Sequence, residues 1–357
     1  MQVDGHHTMT YIAARLAGYG HKPASTIAYA AQYVDDATNS GIIHFKNNAM
    51  YSRISSAHKM LDYRNSDELS NHKVWVPFHF LPGNGGMPAG ENPDGSFIRK
   101  LVCYPDSHVA RDMLRACARD RDKPYSLHRI GITMHVYADT WAHQGFAGVN
   151  HKINEVRDIK SNNRSLDNRF FNKIANFFLS ESFPLGHGAA LSHPDRPSLI
   201  WKYTNGLNEK VERNNQEIFM DAVDKMCRAM QCFLAKDVNM DLESMPGLPK
   251  EDARKILSLI KSIKGDSGED RHKKWIKEIH KGSFSFGSVD IDYTAKGRGS
   301  WKHKSIGQLA ASDTGREAFV YRKTFLSSNW KHFHDALQAH RFDVLHDVLP
   351  KYGICAA

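Results

Sequence analysis

The sequence predicts an all-α, mainly helical fold, and three observations carry that expectation. In the segment His135-Val136-Tyr137-Ala138-Asp139-Thr140-Trp141-Ala142-His143, three polar residues recur at four-residue steps. At about 100° per residue such steps drift only about 40° each, so His135, Asp139 and His143 share one helical face. Ile130, Met134, Tyr137 and Trp141 line the other side, and Asp139 is the only formally charged residue between Ile130 and Phe146. A helix apolar all round is a buried one, and its carboxylate must be paired or bound to a cation. Second, apolar residues keep helical spacing through most of the remaining chain. Third, alternation of the kind strands show enters at Ser283 to Ile291, which predicts one short β-hairpin in a small appended region.

The elements follow in order. Thr8 to Ala17 is apolar at helical spacing and stops at Gly18; Pro23 opens a second helix ending near Asn39-Ser40-Gly41, so the region 1–65 reads as helical. Pro82 to Ser96 is a Gly-, Pro- and Asn-rich loop, and Gly83-Asn84-Gly85-Gly86 lacks the strand-before, helix-after context of a phosphate loop. Helices are expected at Ser107 to Ala118, 124–147, 165–182 and 203–235, with a Gly/His/Pro-rich connector over 184–200. Basic helices fill 250–281, and two amphipathic helices close the chain, carrying Trp330, Phe333 and Leu337, then Phe342, Leu345 and Val348. The expected organisation is a helical metal-binding core at 1–244, a basic insertion at 245–303, and C-terminal helices at 304–357 packing back on the core.

Composition bounds the function. A chain of 357 residues buries a sizeable core. Five cysteines without close pairing fit a reduced compartment better than a disulfide framework. No basic segment followed by an apolar core opens the chain, and no run is long enough to span a bilayer, so the expected location is the cytoplasm, with signal-independent export left open. The net charge of +9 favours phosphate-bearing ligands without demanding them. Arg271-His272-Lys273-Lys274-Trp275 through Lys281 embeds an aromatic among cations; it reads as a solvated helix face, with a nucleic-acid or membrane surface as the alternative.

Dispersed segments place further histidines and aspartates beside structure-forming residues: Asp4-Gly5-His6-His7, Tyr33-Val34-Asp35-Asp36, Phe78-His79-Phe80, and Leu185-Gly186-His187 through His193-Pro194-Asp195. Asp35 falls near the apolar face of Ile27, Ala31 and Val34, whereas Asp36 falls beside Tyr29 and Gln32, close to a helix C-terminus that disfavours negative charge. Glycines on both sides of His187 allow close approach to a ligand, which favours it over His193.

These segments resemble, in order and type, the zinc-dependent phospholipase C and single-strand-specific zinc nuclease superfamily. The quoted motifs are His6, Asp35 in an Ala-rich context, Phe78-His79-Phe80, His135 with Asp139, then His143, then a Gly148-Val149-Asn150 turn, and a last His and Asp among His187, His193 and Asp195. Over most of its length the chain also resembles a bacterial family of unknown function carrying Tyr-Val-Asp-Asp, Phe-His-Phe-Leu-Pro-Gly, His-Gln-Gly-Phe-Ala-Gly and Pro-Asp-Arg-Pro signatures. The phospholipase-like resemblance spans about the first 200 residues at motif level and implies a multi-helix bundle of that type. It implies two or three zinc ions, with iron or manganese as other choices. A first site takes Asp35, His79, His135 and Asp139; a second takes His143, His187 and Asp195; a third lies near His6 with Asp139. Asn150 and His193 then contact substrate. That superfamily also uses the amine and carbonyl of an N-terminal tryptophan, which this chain lacks, so one position is missing, supplied by Asp4 or His7, or rearranged.

The expected function is hydrolysis of a phosphate ester, a phosphodiester in a lipid or nucleic acid, by metal-bound water that Asp35 orients or deprotonates. Two alternatives stay open: an HD-type phosphohydrolase or di-iron oxidase, and a non-catalytic, metal-stabilised helical module that binds a partner protein through its C-terminal third.

Overall fold

Small side chains decide how closely the central helices approach. In the computed structural model, which describes residues 1–58, 68–168, 186–310 and 317–355, α2 (His21–Asp36) presents Ala24, Ala28, Ala30 and Ala31, all fully buried. It packs on α6 (Ser126–Ala142), which is buried continuously from His128 to Ala142. Gly131 is what permits this contact. A Cβ there would lie 2.4 Å from Ile27 O and 2.7 Å from Ala30 Cβ.

Around this pair the chain places α1 (Thr10–Leu16), preceded by a π-helical turn at Asp4–Met9, then α3 (Glu68–Phe78), α4 (Ile98–Leu101) and α5 (His108–Arg119). The second half adds α7 (Asn215–Ala235), α8 (Lys250–Ser262), α9 (Gly268–His280), α10 (Trp301–Ile306) and α11 (Asn329–Phe342). The largest apolar cluster joins Met9 and Ile12 to Met134, Trp141, Met226, Trp275 and Val348, so residues from all parts of the chain share one core. A second cluster packs Tyr33, Phe78, Trp301 and Phe333 behind the other side of α2.

The all-α expectation is overturned. The protein is about 53% helix and 10% strand, a mixed α/β architecture in which the described residues form two three-stranded sheets. In the first, β1 (Gly41–Phe45) pairs antiparallel with β2 (Met50–Arg53) and parallel with β6 (Ala318–Phe319), so the region before residue 58 is not helical throughout. In the second, β3 (Val156–Ser161), β4 (Ile200–Asn205) and β5 (Lys210–Asn214) run antiparallel in that order. The helix expected over 203–235 therefore starts only at Asn215, where Asn214 caps it by accepting from the Gln216 N–H. The physical reason is local: Trp201, Tyr203 and Asn205 alternate inward, and Gly206 turns the chain where a Cβ would meet Lys152 O at 1.9 Å.

The expected hairpin at 283–291 does not form. Ser285 instead gives its backbone N–H and hydroxyl to the Asp252 carboxylate on α8, while Phe284 stacks on Phe286 at 5.4 Å. Those bonds engage the backbone that a partner strand would need. Of the helix expected at 165–182, the part from residue 169 on lies outside the described residues, as do residues 184 and 185 of the connector. Cys103, Cys117, Cys227 and Cys232 are buried and unbridged. No helix among the described residues is long and apolar enough to cross a membrane.

Candidate metal centre

The buried helix α6 carries His135 and Asp139, and ends on His143 as its C-cap residue. Because α2 lies so near, His135 donates its Nδ1–H to Ala31 O at 2.8 Å and turns Nε2 away from α2's backbone. One turn further along α2, Asp35 faces the same space.

His79 follows the end of α3. Its Nε2–H donates to Ser56 O at 2.8 Å, and Ser56 is itself anchored by its hydroxyl to Val34 O. His143 donates Nδ1–H to the backbone carbonyl of His79 at 2.6 Å and is stacked by Phe80, ring centroids 4.5 Å apart. His187 donates Nδ1–H to Leu191 O at 3.1 Å. Gly186, at φ +57°, lets Phe80 in against it, since a Cβ would lie 2.3 Å from Phe80 Cζ. Carbonyl oxygens accept and never donate, so each of these four imidazoles carries a proton on its outer nitrogen and turns the other nitrogen inward.

The inward atoms form a compact set. His135 Nε2 lies 3.2 Å from His79 Nδ1 and 3.3 Å from Asp139 Oδ2; His79 Nδ1 lies 3.6 Å from Asp139 Oδ2. Asp35 Oδ1 stands 3.8 Å from His79 Nδ1 and 3.9 Å from His135 Nε2. Donors around a tetrahedral zinc with bonds of about 2.1 Å sit about 3.4 Å apart. His143, His187 and Asp195 make a second group, with His187 Nε2 3.7 Å from Asp195 Oδ2 and His143 Nε2 4.0 Å from Asp195 Oδ1. His6, stacked on His135 at 3.7 Å, brings Nε2 to 3.2 Å from Asp139 Oδ1, without the alignment of a hydrogen bond. The Met1 amino group also contacts Asp139 Oδ1 and lies 3.4 Å from Asp195 Oδ1.

The residues present fit a cation. Both His6 nitrogens, Asp139 Oδ2 and Asp195 Oδ1 are buried without a hydrogen-bond partner, and buried polar atoms left so call for a partner such as an ion. Burial, aided by His135 and the Met1 ammonium, pushes His6 well below the usual imidazole range. At His143 burial outweighs the upward pull of Asp139 and likewise holds it well below the imidazole range. Burial would raise Asp139, but His143, the Met1 ammonium, His6 and His135 hold it well below the carboxylate range. Burial lowers the Met1 ammonium, and Asp139, Asp195 and Asp35 outweigh it, holding its pKa at about 10. Burial raises Asp35 against the opposing pull of His135 and His79.

A cleft of about 310 Å³ opens onto the cluster, lined by Met1, Asp35, Ala57, His58, Trp75, His79, Phe80, Asp139, His143, His187 and Gly188. Asp35, its side chain 32% exposed, lies on the solvent side, whereas Asp139 is 1% exposed.

The structure thus brings together His6, Asp35, His79, His135, Asp139, His143, His187 and Asp195. It does not bring in Asn150 or His193. Asn150 is exposed and lines no part of the cleft; the buried amide is Asn154, which bonds Ala147 on both its N–H and carbonyl. His193 donates Nδ1–H to Ala190 O and turns Nε2 toward Asp167, because its ring packs against Trp201. Asp4 pairs with Arg271, His7 with His272, and Asp36 accepts from the Tyr293 hydroxyl with Lys296 at 3.9 Å, so none of them substitutes for a ligand. Trp141 is core, its indole N–H donated to Asp221. Sequence reasoning missed the Met1 amine, and missed Trp75 and His58 in the cleft wall, which no spacing rule singles out.

Fold and site together define a predominantly helical α/β protein whose interior gathers imidazoles and carboxylates in groups that could hold metal ions. The chain belongs to the family of unknown function DUF6765, whose model matches residues 1–348. That match carries no tie to the zinc-dependent phospholipase C and nuclease superfamily. No curated protein and no solved structure matches the chain.

Proposed function

We propose that the protein is a multinuclear-metal-dependent hydrolase of phosphate esters, with a phosphodiester as substrate and zinc as the leading metal. The observation that carries the reading is the convergence of His79, His135 and Asp139, whose inward atoms lie 3.2–3.6 Å apart, with Asp35 Oδ1 3.8 Å and 3.9 Å from the two imidazoles. Asp139 Oδ2 faces His79 and His135, while Oδ1 accepts from the Met1 ammonium and lies 3.2 Å from His6 Nε2. Ions held there would supply Lewis acidity and an activated water.

The chain's own residues divide the remaining work. Asp35, half in the cleft and with its proton affinity raised, orients a water or takes its proton. Trp75 and Phe80 form an apolar wall that excludes bulk water from one side. The order of ligand types along the chain, resembling that of the zinc-dependent phospholipases C and zinc nucleases, adds support. The open cleft favours catalysis over a purely structural centre, which would be coordinatively closed.

The test is metal analysis of purified protein together with hydrolysis of bis(4-nitrophenyl) phosphate. Bound zinc, iron or manganese is expected, with turnover lost in His135→Ala and Asp139→Asn and restored to metal-stripped wild type by added ion. A metal-free protein that folds and turns over, or a loaded one inert toward phosphodiesters, refutes the proposal. Absorption by an oxo-bridged iron pair in aerobically purified protein would move the assignment to oxidase chemistry.

A further inference from the structure

Helix α9 gives no donor to the cluster, yet its first turn joins two segments that do. Arg271 is 2% exposed. Its Nε donates to Asp4 Oδ2 at 2.6 Å, and one terminal nitrogen donates to Asp4 Oδ1 at 3.1 Å and Gln2 Oε1 at 2.8 Å. These bonds fix the π-helical turn that carries His6. The same nitrogen donates to the backbone carbonyl of Asp195 at 3.3 Å. Arg196, beside Asp195, reaches back to Gly265 O at 3.2 Å and Asp266 O at 2.6 Å. Gly268 is bare where Gln2 packs, since a Cβ would lie 2.8 Å from Gln2 Oε1.

We infer that Arg271 is a positioning residue that holds the segment bearing His6 and the loop bearing Asp195 at a fixed separation, and so couples helix α9 to cation binding. The inference rests on the metal-centre reading. His6 must meet Asp139 from one segment, and Asp195 must meet His143 and His187 from another; a shift of about 1 Å in either spoils bonds of about 2 Å to an ion. Asp35, His79 and His135 are independent of this clasp, because Ala31 O and Ser56 O orient the two imidazoles. Two positions therefore depend on Arg271 and one does not.

Zinc titration of metal-stripped protein against a competing chelator tests this, with peptide-resolved hydrogen exchange as a second measurement. Asp4→Leu/Arg271→Met replaces the buried pair with apolar atoms and is expected to fold. It should keep one zinc at wild-type affinity and bind the others at least 10-fold more weakly. Arg271→Lys, which keeps the charge but loses the planar fork, should fall between. In the wild type, zinc should slow exchange in Gly268–His280 although that helix touches no ion. Full zinc stoichiometry at wild-type affinity in the folded double variant overturns the inference. If that variant does not fold, exchange decides: protection of Ser126–Ala142 without protection of Gly268–His280 overturns it equally. A wild type that binds no metal would instead refute the metal centre itself.

Discussion

Adding one methyl group at Gly131 should uncouple the helix pair on which the centre is built. An Ala Cβ would start 2.4 Å from Ile27 O and 2.7 Å from Ala30 Cβ, both on the opposing helix. Ordinary contact begins near 3.4 Å, so α2 and α6 must separate by about 1 Å, since neither partner is a flexible side chain. Helix propensity alone would favour alanine by about 1 kcal/mol, whereas overpacking costs about 1–3 kcal/mol. The net expectation is a loss of up to about 2 kcal/mol. The chemical consequence is larger. The His135 Nδ1···Ala31 O bond, now 2.8 Å, would stretch to about 3.8 Å, beyond hydrogen-bond range. His135 then loses the contact that fixes its tautomer, and Asp35 retreats with α2. Losses of such supporting bonds typically weaken metal binding about 10–100-fold. Chelator-competition titration and thermal unfolding of Gly131→Ala, each with and without zinc, measure both effects. A variant as stable as wild type with undiminished zinc affinity would refute the claim that close helix approach builds the centre.

Four further outcomes follow from the geometry. Stripping metal should lower the melting temperature, because a ligand at 100 times its Kd stabilises the fold by about 2.7 kcal/mol; identical melting curves with and without chelator would contradict this. Burial lowers His7, His128 and His334 to about 3 and His272 to about 4. Their folded values lie below the unfolded value of about 6.5, so stability falls as pH drops through that value. Between pH 6.5 and 5.5 each contributes on the order of 1 kcal/mol of loss, and a urea midpoint unchanged over pH 7.5 to 5.5 would refute it. Asn150→Ala should change stability by less than about 0.5 kcal/mol and leave metal content intact. His193→Ala should cost about 1–3 kcal/mol with metal content again unchanged, and loss of an ion from either variant would place that residue at the site after all.

The grouping of donors is legible in the sequence wherever a local rule governs it. The four-residue spacing of His135, Asp139 and His143 dictates a shared face whatever packs on it, and the helical wheel separates Asp35 from Asp36. Of the two glycines flanking His187, read as allowing a ligand's approach, Gly186 admits Phe80 instead and Gly188 meets nothing within 4 Å. What escapes is set by partners distant in sequence. Trp201, Tyr203 and Asn205 alternate, and Asn205-Gly206 is a turn signal, yet the run leads straight into a real helix at Asn215, so the strands merge with it on a helical reading. Ser283 to Ile291 alternates too, but alternation without a pairing partner makes no sheet. Arg271 reads as part of a solvated basic face because its carboxylate partner, Asp4, lies 267 residues away. Asn150 sits in a turn resembling a substrate loop, while the amide that organises this turn is Asn154.

The bond from His143 Nδ1–H to the backbone carbonyl of His79 ties the two donor groups together. Were an ion to settle on His79, the stiffened main chain would align His143 before any ion reached it. Under the proposed metal centre, loading would then be hierarchical, the group on His79 and His135 filling early and its neighbour ripening afterwards.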